Sequence, residues 1–242
     1  MQIVESFLTQ NPCYKANVER ADARYRKFQD EGPKGLMLHS VGCAQPDASV
    51  FVNRWNKPTY TKACVHAFVD ANSGVVMQTL PWNFRGWHGG GSCNNTHIGV
   101  EMCESKHIKY TGDAKFSVID KAKAQADARR AYNSAVELFA YLCEAYAIDP
   151  ETGIISHREG GKQGIASGHV DPEHYWHGLD LPYTMDGFRR DVKAALKAPE
   201  TDTGSDIYRV QVGAFKNRVY AENYLATVQK VFPNAYITKG GG

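Results

Sequence analysis

One long stretch with helical periodicity constrains the fold of this 242-residue chain more than any other feature. Over residues 120–147, apolar side chains recur every three or four positions, which is the spacing of one face of an α-helix. They are Tyr132, Val136, Phe139, Cys143 and Tyr146. A second, shorter run with the same spacing consists of Met185, Phe188, Val192 and Leu196. The sequence therefore predicts a long amphipathic helix and, after it, a closing helix.

Short apolar runs elsewhere in the chain predict the strands of a sheet. They cover residues 35–41, 63–70, 73–80, 96–104 and 153–157. The turn-prone residues between the second and third runs predict a hairpin. In the fourth run, Ile98, Val100 and Met102 alternate with other residues, among them Glu101. One face of that strand is therefore expected to pack against a core, and the other is free for function.

The overall composition excludes several classes of protein. With 43% hydrophobic and 22% charged residues the chain can bury a substantial core, and its net charge of +2 is too small to indicate a nucleic-acid partner. No run approaches the roughly 18 apolar residues of a membrane span. The N-terminal stretch also lacks the basic and apolar segments of an export signal. We expect no nucleic-acid partner, no membrane insertion and a protein that stays cytoplasmic until it is released.

Six cysteines are spaced irregularly, and several fall inside the predicted strands and helix. A disulfide framework is typical of small secreted domains, whereas cytoplasmic proteins keep their thiols reduced. We therefore expect all six to be free thiols.

The last part of the chain differs in character from the rest. Residues 198–206 are polar and contain Pro, Thr, Gly and Ser, which indicates a linker. Residues 207–242 then follow a strand, helix and strand pattern. A unit of this size is near or below the ~40 residues that a lone core usually needs, so it must dock, pair with a copy or belong to something longer. The predicted organisation is a domain over residues 1–197, the linker, and a small β-α-β unit.

The stretch 157–176, HREGGKQGIASGHVDPEHYW, concentrates three histidines, one aspartate and two glutamates among glycines. A catalytic zinc ion takes three protein ligands and leaves one position open for water. The chain has no HExxH helix that would supply two ligands locally. A metal site would therefore be assembled from separate elements, with His39, His157 and a group 12–14 residues after His157 as the candidates.

Five segments of the chain together resemble a known enzyme family. They are HSVG, ACVHAFVD, GWHGGG, NNTHIGVE, and ISHRE followed by DPE. In this order they resemble the type 2 N-acetylmuramoyl-L-alanine amidases, relatives of the peptidoglycan recognition proteins, over about residues 33–197. The resemblance implies an α/β fold with a central mixed β-sheet flanked by helices. It also implies zinc-dependent hydrolysis of the amide between N-acetylmuramic acid and L-alanine in peptidoglycan.

The resemblance also implies roles for particular residues. His39, His157 and Asp171 take the positions of the Zn²⁺ ligands, and Glu101 takes the position of the catalytic glutamate. His169 stands where the family often has a lysine that stabilises the transition state. Two alternatives stay open here, because His169 is either this catalytic group or a metal ligand in place of Asp171.

Three further residues are expected in the pocket. His66 and His88 match positions that are common in the family and are predicted to contact the substrate or to support the ligands. Trp87 is predicted to line a groove for sugar or peptide. Cys103 lies two residues after Glu101 and leaves open a metal-independent cysteine peptidase. A non-catalytic peptidoglycan-binding protein is a third alternative.

The C-terminal unit resembles the first half of the sporulation-related (SPOR) repeat, a family of small peptidoglycan-binding domains. The segment that carries the resemblance is IYRVQVGAFKNRVYAENYLATVQKVF. It implies binding to the cell wall, and two half units from two chains would complete one sheet as a homodimer. Together with the missing export signal, the resemblance predicts a phage or prophage endolysin released by a holin, with a host autolysin or spore-lysis enzyme as the alternative.

Overall fold

The structure is a computed structural model that describes residues 1–197 and five later positions, Arg218, Ala221, Leu225, Val228 and Ile237. The chain divides into two compact units, Met1–Ala198 and Pro199–Gly242. The predicted linker at 198–206 and all but those five positions of the predicted unit at 207–242 lie outside the described residues. The division into a catalytic domain, a linker and a SPOR-like unit therefore stays a prediction.

The first unit alternates short strands with helices. In chain order its elements are β1 Ile3–Glu5, α1 Pro12–Val18, α2 Ala23–Glu31, β2 Gly35–Ser40, α3 Ala48–Trp55, β3 Ala67–Val69, β4 Val76–Gln78, a 3-10 turn at Ser92–Asn95, β5 His97–Met102, β6 Ile108–Gly112, β7 Lys115–Val118, α4 Lys121–Tyr146, α5 Pro150–Gly153, β8 Ile154–Ser156, α6 His157–Lys162, α7 Glu173–Gly178 and α8 Met185–Lys197. None of the helices among the described residues has both the length and the apolar character that crossing a bilayer requires.

Six strands form one mixed sheet in the order β1-β4-β3-β5-β2-β8, and β6 and β7 form a separate hairpin. Within the six-stranded sheet, β3 and β4 are the one antiparallel pair, which confirms the predicted hairpin, and the other neighbouring strands of that sheet are parallel. The strands β3, β5, β2 and β8 therefore run in one direction and end at the same edge. Helices flank this sheet, so the predicted fold class is confirmed.

The long helix α4 packs on the sheet and on α8. Its buried face is rich in small side chains, which allow a close approach; it consists of Ala124, Ala128, Ala131, Tyr132, Ala135, Leu138, Phe139, Ala140, Leu142 and Cys143. Ring contacts join it to the closing helix, with centroids of Tyr132 and Phe139 at 5.4 and 5.1 Å from Phe188. Asp120 caps its start by accepting a hydrogen bond from the Lys123 backbone N–H. Both predicted amphipathic helices are confirmed.

The structure differs from the strand predictions at several ends. β3 and β4 are three residues each, shorter than the apolar runs that contain them. β8 ends at Ser156, and His157 begins a helix instead of ending a strand. The hairpin of β6 and β7 and the N-terminal elements β1 and α1 to α3 were not predicted. All six cysteines are free thiols, as predicted.

Candidate active site

The common edge of the parallel strands brings distant residues together. His39 lies near the end of β2, and its register partner on β5 is Glu101. On the other side of β2, Leu38 pairs with Ser156, so that His157 follows at the level of His39. In open sheets of this kind, the carboxyl ends of parallel strands are where ligands bind. The strand register alone therefore places two histidines and one glutamate at a single edge.

The start of α6 is held firmly, and this fixes His157. The Ser156 hydroxyl accepts a hydrogen bond from the Glu159 backbone N–H at 3.0 Å, and the Glu159 carboxylate accepts one from the Ser156 backbone N–H at 3.0 Å. This reciprocal pair is a capping box. Arg189 of α8 donates to both oxygens of Glu159 at 2.9 Å. His157 is thus the first residue of a short helix that is anchored at both its cap and its third residue.

One group among the described residues has the composition and spacing to hold a metal ion: His39, His157 and Asp171. The Nδ1 atoms of the two histidines lie 3.0 Å apart. The Asp171 carboxylate lies 3.3 Å from His39 Nδ1 through Oδ2 and 3.6 Å from His157 Nδ1 through Oδ1. The Ser40 backbone N–H also donates to Asp171 Oδ2 at 3.4 Å. Donor atoms from a strand, a helix and a loop therefore converge on one point.

This donor set fits a zinc ion. Neutral imidazole nitrogen and carboxylate oxygen are ligands that zinc prefers, and three protein ligands are typical of catalytic sites. All three side chains are buried, and burial lowers the pKa of His39, which favours its neutral form although Asp171 acts in the opposite direction. Burial by itself raises the pKa of Asp171, but the neighbouring His157 and His39 rings outweigh it and hold that pKa well below its ordinary value. The Asp171 carboxylate and the His39 imidazole are thus in the forms that bind a cation.

Glu101 lies beside this group with one oxygen unused. Its Oε2 atom is shut off from solvent and has no hydrogen-bond partner. Burial raises the pKa of Glu101 well above its ordinary value, and the nearby carboxylates of Asp171 and Glu104 raise it further. An unpartnered buried carboxyl oxygen costs folding free energy, so it indicates a group kept for binding or proton transfer.

His169 lies on the solvent side of the group. Its ring stacks on His157 with centroids 4.4 Å apart and planes 3° from parallel, and its Nδ1 lies 3.8 Å from Asp171 Oδ1. The side chain is 59% exposed. The described cluster with metal-binding spacing contains Asp171 and leaves His169 outside. This arrangement favours Asp171 over His169 as the third ligand.

The three residues predicted in the pocket have different surroundings. His66 is fully buried, its Nε2 donates to the Phe84 carbonyl at 2.7 Å and its Nδ1 accepts from the Gly99 backbone N–H at 3.0 Å, which leaves no ring nitrogen for a substrate. Burial lowers the pKa of His66 to about 4. Trp87 is half-buried and donates to the Tyr25 hydroxyl at 3.1 Å.

His88 is buried behind the metal-binding group. Its Nδ1 lies 3.0 Å from His39 Nε2, and its Nε2 lies 3.0 Å from the His97 carbonyl oxygen. Burial is the main reason that the pKa of His88 lies well below its ordinary value. Of the two roles expected for this position, its surroundings favour support of the ligands over contact with substrate.

Sequence reasoning missed two sets of residues around the site. Ser167 contacts His157, with its Oγ 3.0 Å from Nε2 of the ring. Glu104 is fully buried and accepts a 2.6 Å hydrogen bond from the Tyr110 hydroxyl, which in turn lies 2.8 Å from His174 Nε2. A serine in a glycine-rich loop gives no pattern that would identify it. Glu104 lies three residues after Glu101, and Tyr110 lies in an alternating run. No local sequence pattern indicates that these two side chains contact each other.

The sequence matches the family described as N-acetylmuramoyl-L-alanine amidase (Amidase_2) over residues 29–174, which is more than half of the chain. The chain belongs to this amidase family. The match spans the metal-binding group and Glu101, and it makes the protein an amidase-type hydrolase. No curated protein matches the chain.

Solved structures support the fold of this amidase-family chain. It is similar to the crystal structure of Staphylococcus aureus hydrolase AmiA in complex with its ligand, with a TM-score of 0.60 and 20% identity over 81% of this chain and 83% of that one. It is also similar to the solution structure of the PlyG catalytic domain, with a TM-score of 0.50 and 20% identity over 83% of this chain and 99% of that one. At such identities the likeness concerns the fold.

Proposed function

We propose that this protein is a zinc-dependent N-acetylmuramoyl-L-alanine amidase that hydrolyses the amide between N-acetylmuramic acid and L-alanine in bacterial peptidoglycan. One observation carries the proposal: His39, His157 and Asp171 converge at a single point beside the unpartnered Oε2 atom of Glu101. The membership of the chain in the amidase family supplies the class of bond.

His39, His157 and Asp171 would hold the zinc ion through two Nδ1 atoms and a carboxylate oxygen. When bound, zinc acts as a Lewis acid that polarises a carbonyl group and lowers the pKa of water to around 7. The buried setting of the three ligands keeps bulk water from competing for their donor atoms.

Glu101 would move the proton. Its Oε2 atom takes a proton from the water that attacks the amide carbonyl, and the same carboxyl group then gives it to the leaving nitrogen of L-alanine. The second transfer is needed because an unprotonated amine is a poor leaving group. The raised pKa of Glu101 suits this step, since the carboxyl group holds a proton more readily than an exposed glutamate does.

His169 would stabilise the oxyanion that forms on the substrate. Its ring is the exposed member of the histidine stack, so it faces the side from which a polymer reaches the site. A ring N–H that donates to the developing negative charge lowers the barrier without binding the metal.

Peptidoglycan would be the partner of the whole chain. The resemblance of residues 207–242 to half of a SPOR repeat supports a role for them in wall binding or in pairing of two chains. We also propose that the enzyme lyses the wall from inside after release by a holin, as a phage or prophage endolysin.

The proposal is tested by digestion of purified peptidoglycan with the wild type and with Glu101→Ala, each with and without a zinc chelator. We expect the wild type to release new N-terminal alanine without new reducing sugar ends. Glu101→Ala is expected to lose about 10²- to 10⁴-fold in rate, the usual contribution of a general base, while it keeps its zinc.

Three results would contradict the proposal. Activity that survives complete removal of metal would favour the cysteine peptidase. New diaminopimelate or glycine termini would move the cut into the peptide. Tight wall binding by the wild type without any new termini would indicate a binding protein.

A further inference from the structure

The two histidines of the proposed metal site each use their second ring nitrogen inside the protein. In both rings Nδ1 faces the shared point, and Nε2 faces away from it. A neutral imidazole carries one proton, so a ring that binds metal through Nδ1 must hold that proton on Nε2. The partners of the two Nε2 atoms therefore decide whether each ring is ready to bind.

The partner of His39 Nε2 is His88 Nδ1, at 3.0 Å. The other nitrogen of His88 lies 3.0 Å from the His97 carbonyl oxygen, which only accepts hydrogen bonds. His88 must therefore carry its proton on Nε2, and its Nδ1 is left as an acceptor. An acceptor at this place requires the proton of His39 to lie on Nε2. The His97 carbonyl thus determines which nitrogen of His88 carries the proton, and His88 in turn determines this for His39.

The partner of His157 Nε2 is the Ser167 hydroxyl, at 3.0 Å. The same hydroxyl donates to the Gly89 carbonyl oxygen at 3.2 Å, so its own oxygen is free to accept from His157 Nε2. The Gly89 carbonyl therefore keeps the proton of His157 on Nε2 through the Ser167 hydroxyl. Gly89 directly follows His88, so two adjacent residues of one loop determine the proton positions of His39 and His157.

This loop is fixed in place by short contacts. The Asn94 side-chain oxygen accepts from the backbone N–H groups of both His88 and Gly89 at 2.9 Å. The His88 ring lies over Gly99 of β5, where an added Cβ would come within 2.3 Å of the ring. The absence of a side chain at Gly99 is what lets His88 lie this close to the strand.

A competing arrangement shows what the loop prevents. The Nδ1 atoms of His39 and His157 are 3.0 Å apart, which is hydrogen-bond distance. If either ring moved its proton to Nδ1, it would donate to the other ring or to the Asp171 carboxylate and close the point where the metal binds. With both protons on Nε2, two nitrogen lone pairs and a carboxylate face each other, an arrangement that a cation stabilises.

We propose that His88 and Ser167 are positioning residues that hold both histidines in the Nε2–H form and so keep their Nδ1 atoms open for the metal. The proposal rests on the proposed function for the identity of the metal. It assigns the GWHGGG segment a task in preparing the site.

The ring protons are measured directly in the wild-type full chain. Long-range ¹H–¹⁵N correlation spectra of the histidine rings, recorded on the zinc-free and the zinc-loaded protein, report which nitrogen of His39 and His157 carries the proton. We expect Nε2 in both rings and both states. A proton on Nδ1 of either ring in the zinc-free protein would overturn the proposal without the use of any variant.

Two variants test the consequence for metal binding. His88→Phe keeps a ring but removes the acceptor, and Ser167→Ala removes only a hydroxyl. Zinc affinity is measured by competition with a chromophoric chelator, and each variant is expected to lose about 10- to 100-fold, as is usual when the partner of a ligand histidine is removed. In His88→Phe the proton of His39 is expected to move to Nδ1. His177→Phe and Ser117→Ala, at exposed positions, are matched controls with wild-type affinity.

Variants that bind zinc as tightly as their controls would overturn the proposal, even with the expected ring protons in the wild type. The proposed function is tested independently of this inference. A protein with the expected ring protons and the expected loss of zinc affinity, but with no cleavage of peptidoglycan, would support this inference and contradict the amidase activity.

Discussion

Glu104 is a fully buried carboxyl group next to the site, and its pKa is displaced strongly. Burial raises that pKa from the ordinary 4.5 to about 7, although the hydrogen bonds from the Tyr110 hydroxyl and the Gly42 backbone N–H act in the opposite direction. In the folded protein the group therefore keeps its proton over a pH range in which it ionises in the unfolded chain.

This displacement predicts a loss of stability as the pH rises. Between about pH 4.5 and about pH 7 the folded state binds more protons at Glu104 than the unfolded state, so the free energy of unfolding falls through this range and then levels off. The total is roughly 3 kcal/mol, because one pKa unit corresponds to about 1.4 kcal/mol. Urea unfolding at about pH 5 and about pH 8, in the presence of a chelator, measures it.

The comparison that isolates Glu104 uses two variants. Glu104→Gln is expected to reduce the difference in unfolding free energy between the two pH values by roughly 3 kcal/mol. Glu144→Gln, at an exposed position on α4, is expected to leave that difference as in the wild type. Equal pH dependence in Glu104→Gln and the wild type would show that Glu104 ionises normally in the folded protein.

His169 is predicted to act on the substrate and not on the metal. His169→Ala is expected to lower the turnover number by about 10²- to 10³-fold, as is typical when one oxyanion donor is removed, and to leave zinc affinity unchanged. His169→Lys, which restores a donor, is expected to recover part of the rate. Metal analysis and wall digestion on the same samples check both points, and a loss of bound zinc in His169→Ala would instead make it a ligand.

The residues of the site were predictable to different degrees. The motifs pointed to His39, His157, Asp171 and Glu101, and the structure places these four together at one edge of the sheet. The contact of Ser167 with His157 depends on how a glycine-rich loop folds back, which no periodicity encodes. Reasoning from motif positions therefore finds residues that meet the metal or substrate more readily than residues that orient them.

At the scale of elements, α4 packs on both the sheet and α8. Phe139 of α4 is fully buried, with its ring 5.1 Å from the ring of Phe188 on α8. Phe139→Ala would leave a cavity between two helices and the sheet, with an expected loss of about 3–5 kcal/mol in the free energy of unfolding. Urea unfolding measures it.

The control lies two residues away on the same helix. Tyr141 is 45% exposed, so Tyr141→Ala is expected to change the free energy of unfolding by no more than about 0.5 kcal/mol. Similar losses in the two variants would mean that the face of α4 assigned to the core is wrong.

Element prediction succeeded where a pattern was long and failed where it was short. The helices α4 and α8 have several turns of repeat, so their type and apolar faces could be read from spacing. The start of α1 has a short local signal, since Asn11 is a strong cap residue and Pro12 is favoured at the first helical position. The hairpin at 108–118 also showed alternation around a glycine, but its residues are mostly exposed and gave a weak apolar signal.

At the scale of the whole molecule, the order of strands was beyond sequence reasoning. The strand β1, three residues long, pairs with β4 at one edge, and β8 pairs with β2 at the other. Pairings of this kind depend on contacts between distant segments. The resemblance to a known family supplied the fold class, whereas composition and periodicity supplied only the kinds of element.

The two units of the chain predict a separation of catalysis and wall binding. A chain truncated after residue 197 retains all of the described site and is expected to cleave a soluble muramoyl peptide at the wild-type rate. Its binding to insoluble wall is expected to weaken, because residues 207–242, which we propose to bind the wall, are gone. Co-sedimentation with purified wall and cleavage of the soluble substrate check the two parts; unchanged co-sedimentation would contradict the proposed role of residues 207–242.

The close contact of the His88 ring with Gly99 has an evolutionary consequence. A lineage that gains any larger residue at position 99 must also move or replace the imidazole at position 88, because a Cβ atom at position 99 and the present ring cannot occupy the same space. Substitutions at these positions, eleven residues apart, should therefore appear together in descendants of this gene and rarely singly.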